Sequence, residues 1–455
     1  MNLKSGNIAT KIKIFLILSK GVLYMEDVVI RYESNNIIIW SDKYKAYYTS
    51  KDPNYNKEVQ DILDGKISKG KLYEELKDIG AVGGTRREIK STNKNGLMSP
   101  LEYYFDFTNV CNLRCVHCYN RENMNTQTMS IEKIEKIITD MYESGVMRLH
   151  LAGGEPTLFP KELDAYMGTA KKYGILTSMA SNGVVITDEI CEILDRNNVM
   201  SITISVESAN EKENAKIRGE GNLQKAIDGI KKLSEYRKKH GSKYFIGVKV
   251  SYDANIAENE FEDLIKLCKD LNIDIIKFAN PERCIFHEKG YYSKVADKYY
   301  KNMEIVRNLK KKYDGGHMLI TQIASPVNNC MDVGLPNMRG CIGAQELIAI
   351  NCKGEVNPCL MNPYELGNIF DYDSIRDLYK SDVIQDYYKK ITNYDCGDCA
   401  YHKKCRGGCQ VRKIVEYGEI EKTDPLCPVK QNQKIDYKEK ESDSKLMKVC
   451  VLHSL

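Results

Sequence analysis

Residues 103–120 read YYFDFTNVCNLRCVHCYN, and the organisation of the chain radiates from this stretch. Its first half, YYFDFT, is aromatic and strand-like, and its second half is a loop carrying Cys111, Cys115 and Cys118 in a C-x3-C-x2-C spacing. Downstream, strand and helix patterns alternate. Ser130 to Glu143 predicts a helix with Ser130 as N-cap. The segments RLHLAG, ILTSMAS, SITISVES, YFIGVKVSY and IDIIKFAN read as strands. Between them lie the amphipathic helices KELDAYMGTAKKYG, TDEICEILDRNN, LQKAIDGIKKLSEYRKKH and NEFEDLIKLCKDLN. Six strands alternating with helices predict an α/β fold with a parallel sheet and right-handed crossovers, a partial (β/α)6 TIM-like barrel over residues 101–281. In such barrels reactive groups gather at the C-terminal ends of strands, where the cysteine loop falls.

The chain has 455 residues, 42% of them apolar, and carries a net charge of +4. It can bury a large core, and its charge makes no case for nucleic acid or a membrane surface. Sixteen cysteines in so long a chain, clustered in two groups, read as metal or cluster ligands rather than a secreted disulfide framework. Oxygen-labile clusters imply a cytoplasmic location. The one early apolar run, Ile14 to Leu18, is far below the ~20 residues of a spanning helix. Lys20-Gly21-Val22 is encodable as a purine-rich ribosome-binding sequence ahead of Met25, so residues 1–25 are expected to include a mis-assigned start.

Residues 26–82 predict a small separate unit. VVIRY, NIIIW and KAYYT are short strands, followed by helices in NKEVQDILDG and GKLYEELKDIG. Residues 83–100 read as a linker. Residues 282–340 form a bridging region with one helix near 293–312, residues 341–435 a Cys-rich segment stapled by metal centres, and residues 436–455 a tail. Cys191 and Cys268 sit on helices and are expected in the core; Cys284 and Cys450 have no assigned role.

Structural zinc takes four ligands, and the first cysteine group offers three with no obvious fourth. Three thiolates on a four-iron cubane leave one iron open. The loop resembles the signature of the radical S-adenosylmethionine (SAM) superfamily, C-x3-C-x-Φ-C, with His117 at the aromatic position and Tyr119 following. The resemblance extends along the barrel. Gly153-Gly154-Glu155-Pro156 is similar to the family's GGEP segment, whose edge binds the SAM amino group. Ser181-Asn182-Gly183 resembles a turn lining the SAM pocket, Ser205 and Glu207 the residues that meet the ribose, and Arg218-Gly219 an arginine pairing the SAM carboxylate. The resemblance implies a [4Fe–4S] cluster that binds SAM and cleaves it reductively to a 5′-deoxyadenosyl radical.

The second group runs Cys341, Gly354, Cys359, Cys396, Cys399, Cys405, Cys409 and Cys427. It resembles the seven-cysteine SPASM extension of that superfamily. By resemblance, Cys341, Cys359 and Cys409 bind one auxiliary [4Fe–4S] cluster, and Cys396, Cys399, Cys405 and Cys427 a second. Cys330 is the candidate fourth ligand of the first, with Cys352 an outside alternative. A zinc ribbon is the competing reading of the C-x2-C pair.

SPASM enzymes mostly modify peptides, and several carry an N-terminal winged-helix unit that captures a leader peptide, which residues 26–82 resemble in size and order. The implied partners are a ribosomally made, Cys-rich precursor peptide and a reductant such as flavodoxin or ferredoxin. The expected product is a thioether or other cross-link. A formylglycine-forming sulfatase maturase is the alternative, disfavoured because Leu360 rather than an acid follows Cys359. A small-molecule radical SAM enzyme is the other.

Overall fold

The computed structural model describes residues 27–50, 52, 54–93, 96–121, 124–279, 288–313, 316–323, 340–392, 395–433 and 445–449. The expected start at Met25 and residues Cys284, Cys330 and Cys450 lie outside these residues, as does part of the bridging region.

Strands β1 (Val28–Tyr32), β2 (Ile37–Ser41) and β3 (Ala46–Ser50) form an antiparallel meander, followed by α1 (Tyr55–Leu63) and α2 (Lys71–Asp78), as the sequence patterns predict. Residues 83–100 are more than a linker: they contain β4 (Arg86–Lys90), which pairs parallel with β1. This sheet is buried on both faces, which is why β2 reads IIIW without polar alternation. One face, with Val28, Ile30 and Ile39, packs on Leu72 and Leu76 of α2. The other, with Val29, Ile38, Trp40 and Tyr47, packs on Met98, Leu101 and Met147. Fully buried side chains of this size contribute about 1.5–3 kcal/mol each. The buried Arg31 guanidinium donates to the carbonyls of Ser99 (2.6 Å) and Pro100 (2.9 Å). The Tyr47 hydroxyl donates to Leu101 O (2.9 Å) and accepts from Met147 N (2.8 Å). The N-terminal unit is thus seated on the base of the barrel.

The barrel proceeds through β5 (Glu102–Phe105), α3 (Ile131–Glu143), β6 (Arg148–Leu151), α4 (Pro160–Lys172), β7 (Leu176–Ser181), α5 (Asp188–Arg196), β8 (Ser201–Ser205), α6 (Glu211–Arg218), α7 (Asn222–His240), β9 (Phe245–Ser251), α8 (Glu258–Asp270) and β10 (Ile275–Ala279). All six expected strands are parallel and in sequential order. Ser130 is the N-cap of α3, although its hydroxyl makes no capping bond. Helix α6 was not anticipated; Asn210 caps it, accepting from the amides of Lys212 and Glu213. Cys191 and Cys268 are buried in the core as expected.

Beyond β10 come α9 (Tyr291–Lys312), β11 (Leu319–Ile323), β12 (Leu347–Ile350), β13 (Glu355–Asn357), β14 (Gly367–Asn368), α10 (Ile375–Lys380), α11 (Asp382–Thr392), α12 (His402–Cys405), α13 (Gln410–Tyr417) and β15 (Leu446–Val449). β11 extends the sheet parallel to β10, and β12 joins the opposite edge parallel to β5. β13 and β14 follow antiparallel, giving an open ten-stranded sheet. The Cys-rich segment is therefore not held by metal centres alone. Its Ile348, Ile350, Val356, Leu378 and Tyr387 belong to the same apolar core as the barrel strands. The tail, finally, returns to the N-terminal sheet, where β15 pairs antiparallel with β3.

Candidate active site and cluster-binding cysteines

The cysteine loop leaves β5 at Asp106 and is bound to the ends of the neighbouring strands. The buried Asp106 carboxylate accepts from Ala152 N (2.9 Å) and from the Tyr119 hydroxyl (3.2 Å), which itself accepts from Gly153 N (3.2 Å). Burial pushes the Asp106 carboxyl up to about 7 against these hydrogen bonds. Gly154 N donates to Thr108 O (2.9 Å) and Glu155 N to Val110 O (2.7 Å). The two backbones approach so closely that a Cβ on Gly154 would stand 2.1 Å from Val110 O, and one on Gly153 2.5 Å from Thr108 O. Gly153 also has φ +82°. The glycine pair is thus explained by contact with the cysteine loop itself.

Glu155, 1% exposed, caps the single 3-10 turn that begins at Pro156. Its carboxylate accepts from Thr157 N (3.2 Å), Thr157 Oγ1 (2.7 Å), Ser181 Oγ (2.8 Å) and Asn182 N (2.7 Å), tying the end of β6 to that of β7. Asn182 Nδ2 donates to Asn112 Oδ1 (2.8 Å) and lies 3.9 Å from Cys111 Sγ. Ser205 is the last residue of β8. Two residues on, Glu207 accepts from Arg218 Nε (2.9 Å) and Nη2 (2.6 Å), and from Ser251 N (2.5 Å). His117 Nε2 lies 3.2 Å from the same carboxylate. Burial alone would raise the Glu207 carboxyl; Arg218 and then His117 outweigh it and hold it at about 2. Arg218 Nη1 reaches 3.7 Å from Cys115 Sγ. The structure thus joins Asp106, Tyr119 and Gly153, then Glu155, Ser181 and Asn182 beside Cys111, and Glu207, His117 and Arg218 beside Cys115; Pro156 and Ser205 lie at the ends of neighbouring elements. His117 Nδ1 is buried without a partner among the described residues, a hydrogen-bonding group left for a ligand.

Burial pushes the Cys111 thiol up to about 11, and Cys115 and Cys118 stand close enough to add to that rise. Yet no three Cys, His, Asp or Glu side chains among the described residues converge closely enough to hold one metal ion. A cubane takes the three thiolates on three different irons rather than on one ion. Thiols held protonated by burial would give up their protons on ligation.

In the second group, Cys341 and Cys359 both lie near Tyr387, and Cys396 lies near Cys427. Gly354, φ +83°, stands where a Cβ would be 2.5 Å from the Phe370 ring. Cys352 O accepts from Gln127 Nε2 (2.8 Å), and burial, then the nearby Asp106 of the first site, push the Cys352 thiol up to about 11.

The sequence reading missed the polar supports of these cysteines. Arg412 and Asp424 form a buried ion pair, 0% and 1% exposed, with Nε–Oδ1 3.0 Å and Nη2–Oδ2 2.5 Å. Asp424 also accepts from Cys409 N (2.7 Å) and Leu426 N (2.9 Å), and its carbonyl from Cys427 N (2.9 Å). Asp424 thereby reaches a cysteine of each set, Cys409 through its carboxylate and Cys427 through its main-chain carbonyl. Gln410 accepts from Asn362 (3.1 Å) and Tyr387 beside Cys341 and Cys359. Lys277, 4% exposed on β10, was also missed. It donates to Thr203 Oγ1 (3.0 Å), and burial with the nearby Lys249 pushes it down to about 7. A lysine inside the apolar strand IIKFA was its visible signal.

Comparison with known proteins agrees with this geometry. The radical SAM superfamily model matches residues 105–268, and the SPASM iron–sulfur cluster-binding domain model matches residues 341–410. The antilisterial bacteriocin subtilosin biosynthesis protein AlbA of Bacillus subtilis (strain 168) is 27% identical over 350 residues, covering 72% of this chain and 71% of AlbA. The mycofactocin maturase MftC of Mycobacterium tuberculosis (strain CDC 1551 / Oshkosh) is 24% identical over 350 residues, covering 73% and 84%. The fold is similar to that of Streptococcus suis SuiB bound to precursor peptide SuiA, with a TM-score of 0.67 at 18% identity over 88% of this chain and 99% of SuiB. With the three-cysteine loop at the strand ends, residues 105–268 form a radical SAM domain and residues 341–410 an iron–sulfur cluster-binding SPASM domain.

Proposed function

We propose that this chain is a maturase that modifies a ribosomally made peptide by radical SAM chemistry. The observation that carries it is the arrangement of Cys111, Cys115 and Cys118 against Glu155 and the Glu207–Arg218 pair, beside a barrel that also bears a SPASM cysteine set. The peptide substrate is supported by the likeness to AlbA, a bacteriocin biosynthesis protein, and to SuiB, whose structure holds a precursor peptide.

In this reading Cys111, Cys115 and Cys118 hold the [4Fe–4S] cluster, and Gly153, Gly154, Pro156, Ser181, Asn182, Ser205, Glu207 and Arg218 form the SAM pocket. Cluster and SAM together supply a 5′-deoxyadenosyl radical that takes a hydrogen atom from the peptide. Arg218, fixed by Glu207, turns its remaining donors to the SAM carboxylate. His117 offers Nδ1 to the nucleoside, and the Glu155 carboxylate keeps the second and third strand ends in register. Cys341, Cys359 and Cys409, and separately Cys396, Cys399, Cys405 and Cys427, hold two auxiliary clusters, with Cys330 completing the first. Residues 26–82 recognise the leader. The reductant is a flavodoxin or ferredoxin of a reducing cytoplasm. No helix among the described residues is long and apolar enough to cross a membrane. A thioether is the bond proposed; Leu360 in place of an acid after Cys359 disfavours formylglycine chemistry.

The test is anaerobic reconstitution with iron and sulfide, then SAM and dithionite. Formation of 5′-deoxyadenosine is expected, with its loss in the Cys111→Ala, Cys115→Ala and Cys118→Ala variant while auxiliary iron remains. A purified anaerobic protein holding only zinc would overturn the reading.

A further inference from the structure

The two edges of the N-terminal sheet differ in kind. β4, at one edge, reads RREIK and carries charges that discourage pairing with another strand. β3, AYYTS, has no charge, and its backbone would form the other edge were it not covered by β15 from the far end of the chain. Leu446 to Val449 pair antiparallel with Ser50 to Tyr47. Glu75 of α2 receives the amides of Lys445 (3.0 Å) and Leu446 (3.1 Å). The Lys445 ammonium sits 3.0 Å from the Glu58 carboxylate of α1 and 4.8 Å from the centre of the Tyr55 ring. The Leu446 side chain, 6% exposed, enters the apolar cluster between the sheet and the two helices. A four-residue strand paired on one side has little ladder to hold it, so it belongs to the readily opened end of the structure.

On the reading that residues 26–82 recognise the leader, this edge is the groove where an extended peptide adds a strand; we propose that β15 is a resident stand-in there, and that it gives way to an extended peptide carrying a basic residue directly followed by a large aliphatic one. The inference rests on the peptide-maturase reading and narrows it: main-chain pairing to β3 supplies affinity, while the Glu58–Glu75 acids and the apolar pocket read the Lys-Leu pair. While β15 is seated, an incoming peptide competes with it, and its apparent affinity falls by the fraction of molecules in which the groove is open.

The probe is the labelled peptide SDSKLMKV, the chain's own residues 442–449. Its binding is measured by fluorescence anisotropy to the reconstituted full chain, to the full chain with Leu446→Asp, and to a chain ending at residue 440. Both altered proteins are expected to bind it about tenfold or more tightly than the unchanged chain. A probe with Lys445→Glu and Leu446→Asp should not bind, and adding Glu75→Gln to the opened chain should weaken binding. Equal binding by unchanged and opened chains, or indifference to the Lys-Leu pair, would overturn the proposal. Formation of 5′-deoxyadenosine from SAM and dithionite, measured on the same three proteins, reports the enzyme reading separately. Its presence without peptide exchange sinks only the groove, and its absence sinks the maturase.

Discussion

The loop after β5 and the segment 395–433 both present cysteines, but they are supported differently. Cys111, Cys115 and Cys118 hang from a framework in which Asp106 and Tyr119 bind the cysteine loop to the end of β6, Glu155 ties β6 to the Ser181-Asn182 turn, and Glu207 holds Arg218 and the end of β9. In 395–433 the only named helices are α12 and α13, and a single buried pair, Arg412–Asp424, reaches the backbone of Cys409 and Cys427. The first site has redundant supports spread over several strands; in the second, the one residue Asp424 reaches a cysteine of each set, with Gln410 beside Cys341 and Cys359. A redundant site should lose function by small steps, and a concentrated one all at once.

The sharpest way to break this contrast is Asp424→Ala. Removing the carboxylate paired with the buried Arg412 guanidinium should cost about 3–5 kcal/mol. Auxiliary iron should fall while the first site still cleaves SAM; a variant with full iron content and unchanged melting would show that the cysteines need no such support. Next is Glu207→Gln. The Glu207 carboxyl is depressed in the fold from 4.5 to about 2, so its stabilisation is complete above pH 4.5 and lost as pH falls toward 2. That amounts to about 3 kcal/mol. Denaturant unfolding of the apo-protein from pH 5 to 3 should show a slope that the variant lacks; parallel pH profiles would refute the assignment. Gly154→Ala places a methyl group against Val110 O and should cost about 1–3 kcal/mol. It should also reduce iron at the first site, as read by EPR after reduction, and an unperturbed signal would contradict the close approach. Smallest is Tyr119→Phe, which removes one bridge of several and should cost about 1 kcal/mol with SAM cleavage retained. A complete loss of activity there would mean that the first site is not redundant after all.

Much of the first site was legible because its signals are local. Cysteines three and four residues apart share a loop, a glycine pair after a strand marks a close backbone approach, and β/α alternation is written in the spacing of apolar residues. Glu207 and Arg218 were readable as site residues but not as partners of each other, because α6, which sets their separation, is polar and weakly patterned. Its one signal was Asn210 three residues before Glu213.

The amino-acid sequence by itself determined the parallel six-stranded order, the two cysteine groups and the N-terminal meander with its helices, since each follows from periodicity or spacing within a few dozen residues. Only the tertiary structure decided that β4 lies in the supposed linker, that β11 and β12 widen the sheet on both sides, that Arg412 meets Asp424, and that β15 closes the β3 edge. Strands of four or five residues carry too little pattern to announce a partner. What selects that partner is the unpaired backbone and buried charge of a distant segment, which exist only once the chain has folded.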